Sequence, residues 1–139
     1  MRRVDFVVIG EPVGKQRPIV ARRHAFTPKK TAEYEDFVRL CYNSQVRDKT
    51  PLQGYIKADI KIYMGVPKSA SKSSKKAMYE GIIRPTKTPD IDNVTKAILD
   101  ALNDVAYKDD SSVVYLTASK HFVKAEDDSP RVEVTLVGN

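Results

Sequence analysis

The chain has 139 residues, enough for one domain with a hydrophobic core and too few for two comfortable ones. Its 41% hydrophobic and 30% charged residues lie in the globular range, and no apolar run nears the roughly 20 residues of a membrane span. The net charge of +6 favours a polyanionic partner, while a lone Cys41, with His24 and His121 distant in sequence, excludes an internal disulfide and a zinc pattern.

Residues 4–10, "VDFVVIG", form a β-branched apolar run that ends in Gly-Glu-Pro and read as a strand. Asp5 and Glu11 interrupt the apolar stretch a signal peptide would need, so a cytosolic protein is expected. "RPIVARRHAFTP" reads as an extended or hairpin segment with bases on its loop. In residues 28–46, Tyr34, Phe37, Val38, Cys41 and Tyr42 recur at helical spacing, with Thr31 near the start and Cys41 as a buried small hydrophobe. "YIKADIKIYM" alternates Ile56, Ala58, Ile60 and Ile62 with Lys57, Asp59 and Lys61, the clearest strand of the chain. "SASKSSKKAMYEG" predicts a short exposed helix ending at Gly81.

A further helix carries the stripe Ile91, Val94, Ile98, Ala101, Leu102 and Val105, and strands follow at "VVYLTASKHFV" and "RVEVTLVG". The order β, β, α, β, α, α, β, β predicts an α+β fold. It comprises a single domain over residues 1–139, with a mixed sheet and helices mainly on one face.

The charge is unevenly distributed. Residues 1–30 hold eight bases against Asp5 and Glu11, a surplus equal to that of the whole chain. Residues 68–87 add Lys68, Lys72, Lys75, Lys76, Arg84 and Lys87 against Glu80. In residues 88–112 the sign reverses: Asp90, Asp92, Asp100, Asp104, Asp109 and Asp110 face only Lys96 and Lys108. Basic fields of this size suit nucleic acid, because neutralised phosphates release condensed counterions.

Pro89 predicts a helix beginning just after it, with Asp90 near the N-cap and Asp92 in the first turn. Asp90 and Asp92 converge only if Asp90 stands outside the regular helix. Lys96 follows Asp92 by four residues and shares its face. Acids at a helix start also stabilise the cap and macrodipole by about 0.3–1 kcal/mol, so these residues alone do not require a site. The pair Asp109-Asp110 in "AYKDDSSV" alters the weighing if the loop turns back toward them. Three or four carboxylates would then meet, and such a cluster repels itself unless a hard divalent cation fills it. An EF-hand loop is a poor match, since Thr95 and Ala101 occupy its glycine and closing glutamate positions.

"TPDIDNVTKAILDALNDVAYKDDSSV" closely resembles the signature of the RusA family of Holliday-junction resolvases. "GEPVGKQRPIVARRHAFTPKKTAEYEDFV" looks like that family's N-terminal part, so the resemblance runs from about residue 4 to residue 137. It implies an α+β homodimer acting as a Mg²⁺-dependent endonuclease that nicks four-way DNA junctions symmetrically, with Mn²⁺ as a substitute ion. The implied metal carboxylates are Asp90, Asp92 and Asp110, with Lys96 as the essential base beside them. Lys15, Arg17, Arg22, Arg23, Lys29, Lys30, Lys72, Lys75 and Lys76 would then hold duplex arms through phosphates. A non-catalytic DNA-binding module, or a metal-dependent nuclease for other branched or single-stranded DNA, is the competing reading.

Overall fold

The structure, a computed structural model, describes residues 1–17 and 28–139 together with the backbone of residues 19–21 and 24–26. Arg22 and Arg23, two of the expected DNA-contacting bases, lie outside the described residues.

Strand β1 (Arg2–Ile9) is followed by a two-stranded antiparallel ribbon of β2 (Ile19–Ala21) and β3 (His24–Phe26), then by helix α1 (Lys29–Gln45). Next come β4 (Ile56–Met64), α2 (Lys72–Tyr79), α3 (Ile91–Ala101), a single 3₁₀ turn over Asp110–Ser112, β5 (Val113–Phe122) and β6 (Arg131–Gly138). The main sheet has the order β1-β6-β4-β5. β6 runs antiparallel to both β1 and β4, whereas β5 runs parallel to β4. A parallel pair needs a crossover, and the segment carrying α2 and α3 provides it. The expected α+β class with a mixed sheet is what the chain forms.

The register explains the core. Side chains alternate across a strand, so Val4, Leu136, Ala58 and Leu116 form one row across the sheet, and Phe6, Val134, Ile60 and Ala118 form the next. A third row runs Val8, Val132, Ile62, Lys120. The β1, β6 and β4 members of these rows are buried against Tyr34, Val38, Cys41 and Tyr42 of α1 and Val94, Ala97, Ile98 and Ala101 of α3. Burial of this apolar surface, at about 25 cal/mol per Å², is the main term holding helices to sheet. β5, at the sheet edge, is more open: Val114, Tyr115 and Leu116 are exposed.

Two helices differ in detail from the sequence expectation. α1 starts at Lys29 behind an N-cap Pro28, and Thr31 is buried because its Oγ1 accepts from the Gln16 amide at 3.1 Å. α3 stops at Ala101, and Ile91 is exposed at its first turn instead of joining the buried stripe. α2 buries no residue, and Ser71 caps it by accepting from the Ser74 amide.

Candidate active site

The acid-rich segment folds back on itself. After α3, the amides of Val105 and Ala106 both donate to the Leu102 carbonyl at 3.0 Å, and the Asp104 amide donates to Lys108 O. Asp104 takes φ +61, a left-handed conformation that a short polar residue tolerates better than most. Tyr107 is buried beneath this turn, where its hydroxyl donates to Leu99 O at 2.7 Å. The Asp110 amide then donates to Asn103 Oδ1 at 2.8 Å, which fixes the start of the 3₁₀ turn. A register shift between Ile56 and Lys57 sits where β5 begins, a position at which bulges often re-aim side chains beside sites.

This reversal returns Asp110 to the flank of α3. Asp92, Lys96 and Asp110 line one cleft of about 470 Å³, whose remaining wall is Ile91, Thr95, Leu99, Leu116 and Ala118. A second cleft, of about 710 Å³, opens on the other side of the helix start and is lined by Asp90, Asp92, Lys15, Arg17 and Lys30 among others. Asp92 is common to both.

Asp90 is the N-cap residue of α3, yet its side chain makes no cap hydrogen bond. Its closest recorded polar contact is a long 3.5 Å approach from Asn93 Nδ2. Among the described residues, Asp92 accepts only from the neighbouring Asn93 amide, at 2.9 Å. Both carboxylates are exposed. A capping role would have turned the Asp90 oxygens onto the first-turn amides.

Within the site, the carboxylate held by two lysines is Asp100, which the charge count included without assigning it a role. Asp100 is only 17% exposed and accepts from Lys96 Nζ at 3.0 Å and from Lys15 Nζ at 3.2 Å. Lys15 also donates to Glu35 at 2.6 Å. Burial alone would push the Asp100 carboxyl up, but the two lysines outweigh it and hold it below the ordinary carboxylate range. Asp110 moves the opposite way. Burial, the Asp100 carboxyl within hydrogen-bonding reach, and the charge of Asp109 raise it, and Lys96 offsets only part of this. The same acids, added to burial, push the Tyr107 hydroxyl above its usual range.

The site residues therefore stand in two groups. Asp92, Lys96 and Asp110 share a cleft, with Asp100 behind Lys96; Asp90 faces the other cleft. Among the described residues, no three or more of His, Cys, Asp and Glu are grouped to hold a metal ion. The donor chemistry nevertheless fits Mg²⁺ or Mn²⁺: the Asp90 and Asp92 residues are exposed and Asp110 is half-buried, and all three offer hard oxygens.

The expected phosphate-binding bases divide too. Lys15 is 18% exposed and occupied by two carboxylates, so it points inward as part of the framework. Arg17 and Lys30 are exposed on the wall of the Asp90 cleft. Lys29 is exposed and loosely paired with Glu33 at 3.7 Å. Lys72, Lys75 and Lys76 lie along α2 and line a hollow with Tyr79 and Lys124. Sequence reasoning missed Asp100 and Glu35. The spacing of Lys96 to Asp100, four residues along a helix, was the available signal for the first.

The chain is thus an α+β domain with a carboxylate-and-lysine cleft at the start of a crossover helix, and comparison with known proteins gives its family. Residues 10–137 match the family model described as Endodeoxyribonuclease RusA, and the chain belongs to that family. It is also similar to the Bacillus subtilis (strain 168) protein named "Uncharacterized protein YqaN", with 41% identity over 96% of this chain and 94% of that one. Among the described residues, no helix is long and apolar enough to cross a membrane.

Proposed function

We propose that the chain is a divalent-metal-dependent endodeoxyribonuclease that resolves four-way DNA junctions by paired symmetric nicks, working as a homodimer. The observation that carries the reading is the shared cleft of Asp92, Lys96 and Asp110, residues drawn from α3 and from the turn before β5. Asp90, Asp92 and Asp110 would hold Mg²⁺ or Mn²⁺. When bound, the ion supplies activation of the attacking water and stabilisation of charge on the phosphoryl and leaving oxygens.

The chain's own residues do the rest. The Lys96 ammonium has three donors, of which Asp100 takes one. The others are directed to a phosphoryl oxygen, where charge grows during in-line displacement. Asp100, one turn further along α3, holds Lys96 by an ion pair at 3.0 Å. Leu99, Leu116 and Ala118 form an apolar wall that lowers the local dielectric and strengthens each of these contacts. Arg17, Lys30 and the α2 lysines would position duplex arms through phosphates without reading sequence. A four-way junction has two-fold symmetry, and an isologous dimer with two sites is its geometric counterpart.

The test is to incubate the pure protein with a synthetic four-way junction and with plain duplex, with and without Mg²⁺. Symmetric nicks in the junction alone, and only with the ion, are expected. Junction binding with no nicking at any Mg²⁺ concentration would leave a DNA-binding module, and equal cleavage of flaps or single strands would change the substrate. Light scattering should return twice the chain mass.

A further inference from the structure

Lys120 occupies a place in the sheet where its row neighbours are apolar. It continues the row of Val8, Val132 and Ile62, each fully buried, on the face that α1 and α3 cover. At this sheet edge its ammonium meets no carboxylate within ion-pair distance among the described residues. Instead it donates to Lys87 O at 2.7 Å and to Pro89 O at 2.8 Å. The connection is reciprocal, because Arg84 donates to Lys120 O through Nε at 2.9 Å and through Nη2. Residues 84–89 are thereby fastened to β5 in both directions.

That segment leads directly into the acids. Pro89 precedes Asp90, the N-cap of α3, and Asp92 stands in the first turn. The same strand β5 starts at Val113, immediately after the turn that carries Asp110. β5 thus contacts the acid-bearing elements at both of its ends: Lys120 grips the approach to Asp90 and Asp92, and Asp110 precedes its first residue. A side chain hydrogen-bonded to two carbonyls next to a candidate ligand does what a supporting residue does at a metal site, orienting the ligand without touching the ion.

We propose that Lys120 is a positioning residue: by holding the carbonyls of Lys87 and Pro89, it sets Asp90 and Asp92 in place relative to Asp110. This rests on the metal-nuclease reading above. A lysine near a nuclease cleft has an obvious competing use, direct contact with a DNA phosphate, and the two roles leave different traces.

The experiment compares Lys120→Met and Arg84→Ala with wild type by amide hydrogen exchange of the DNA-free, metal-free protein and by Mn²⁺ titration followed by electron paramagnetic resonance. Arg84 is exposed, so its variant loosens the same segment even where the Lys120 variant folds poorly. The amides to follow are those of Val94, which donates to Asp90 O, and of Thr95, the next residue of α3. In both variants their exchange should accelerate about tenfold while the β4 and β6 amides keep wild-type protection, and Mn²⁺ affinity should fall about tenfold. Metal-free junction binding by Lys120→Met should stay unchanged. Unaltered exchange at Val94 and Thr95 in both variants overturns the proposal, as does a loss of metal-free junction affinity in Lys120→Met with wild-type exchange. A wild-type protein that binds no Mn²⁺ overturns the metal reading instead, and the exchange data still decide whether Lys120 holds the turn.

Discussion

The carboxyl groups of Asp100 and Asp110 lie within hydrogen-bonding reach of each other and are driven in opposite directions, Asp100 toward the charged form and Asp110 toward the neutral one. Two lysines serve Asp100, while burial and neighbouring acids oppose ionisation of Asp110. One carboxylate is therefore stabilised by its surroundings and the other is held against them.

Asp110→Asn should consequently stabilise the metal-free protein while abolishing cleavage. A raised folded pKa on an acid means a penalty that is absent in the acid range and sets in as pH rises through that raised value. Asp100, with a depressed value, contributes stability above the ordinary carboxylate range and loses it as pH falls through its folded value. The variant should gain a few tenths to about 1 kcal/mol at neutral pH, and the gain should vanish in acid. Denaturant midpoints across the acid range check this; a destabilised variant at neutral pH would contradict it.

Lys15→Met is expected to behave as a framework mutation. The ammonium sits between Glu35 and Asp100, all three side chains less than a fifth exposed, and its removal leaves two carboxylates facing each other. The cost should be about 1.5–3 kcal/mol of stability. Burial lowers the Lys15 pKa, but the hydrogen bonds it donates to both acids overcome it and the net shift is upward. Its stabilisation is thus complete below the ordinary lysine range and lost as pH rises through the raised folded value. Metal-free junction affinity, measured by fluorescence anisotropy, should change less than for Arg17→Ala.

This fate of Lys15 shows what a linear reading captures. Local signals were legible: the alternation of Ile56, Ala58, Ile60 and Ile62 appears as β4, and Pro89 with Asp90 marks the start of α3 where the helix begins. Buried Cys41 was legible for the same reason. Non-local relations were not. That β5 would lie parallel to β4, and that the turn after Leu102 would bring Asp110 beside Asp100, depends on contacts between segments with no shared periodicity. Counting Lys15 with the solvent-facing bases failed to anticipate Glu35, which reaches it from α1. The row that ends in Lys120 emerges only once three strand registers are known.

Lys96→Ala separates charge stabilisation from metal holding. Its side chain is 60% exposed and bonded to Asp100, so its loss should cost little stability, under about 0.5 kcal/mol. Cleavage should fall by at least about a hundredfold and stay low at saturating Mg²⁺, because the missing donor acts on the phosphate. Recovery of wild-type rate with added Mg²⁺ would move Lys96 to a role in ion binding.

Asp92→Asn is the sharpest test of the site as a whole, because Asp92 alone among the described residues lines both clefts. Asparagine keeps the shape and can still accept from the Asn93 amide, so the helix start should lose under about 1 kcal/mol. If Asp92 only decorates the first turn of α3, cleavage should survive. If it holds the ion, cleavage should stop while metal-free junction affinity stays equal or tightens, since one anion facing the phosphate is gone. The paired measurement matters because a misfolded variant would lose both properties together, whereas loss of chemistry with retained or stronger binding isolates the carboxylate charge. A variant that nicks junctions at the wild-type rate would return the protein to the reading of a DNA-binding module whose acids solvate a helix end.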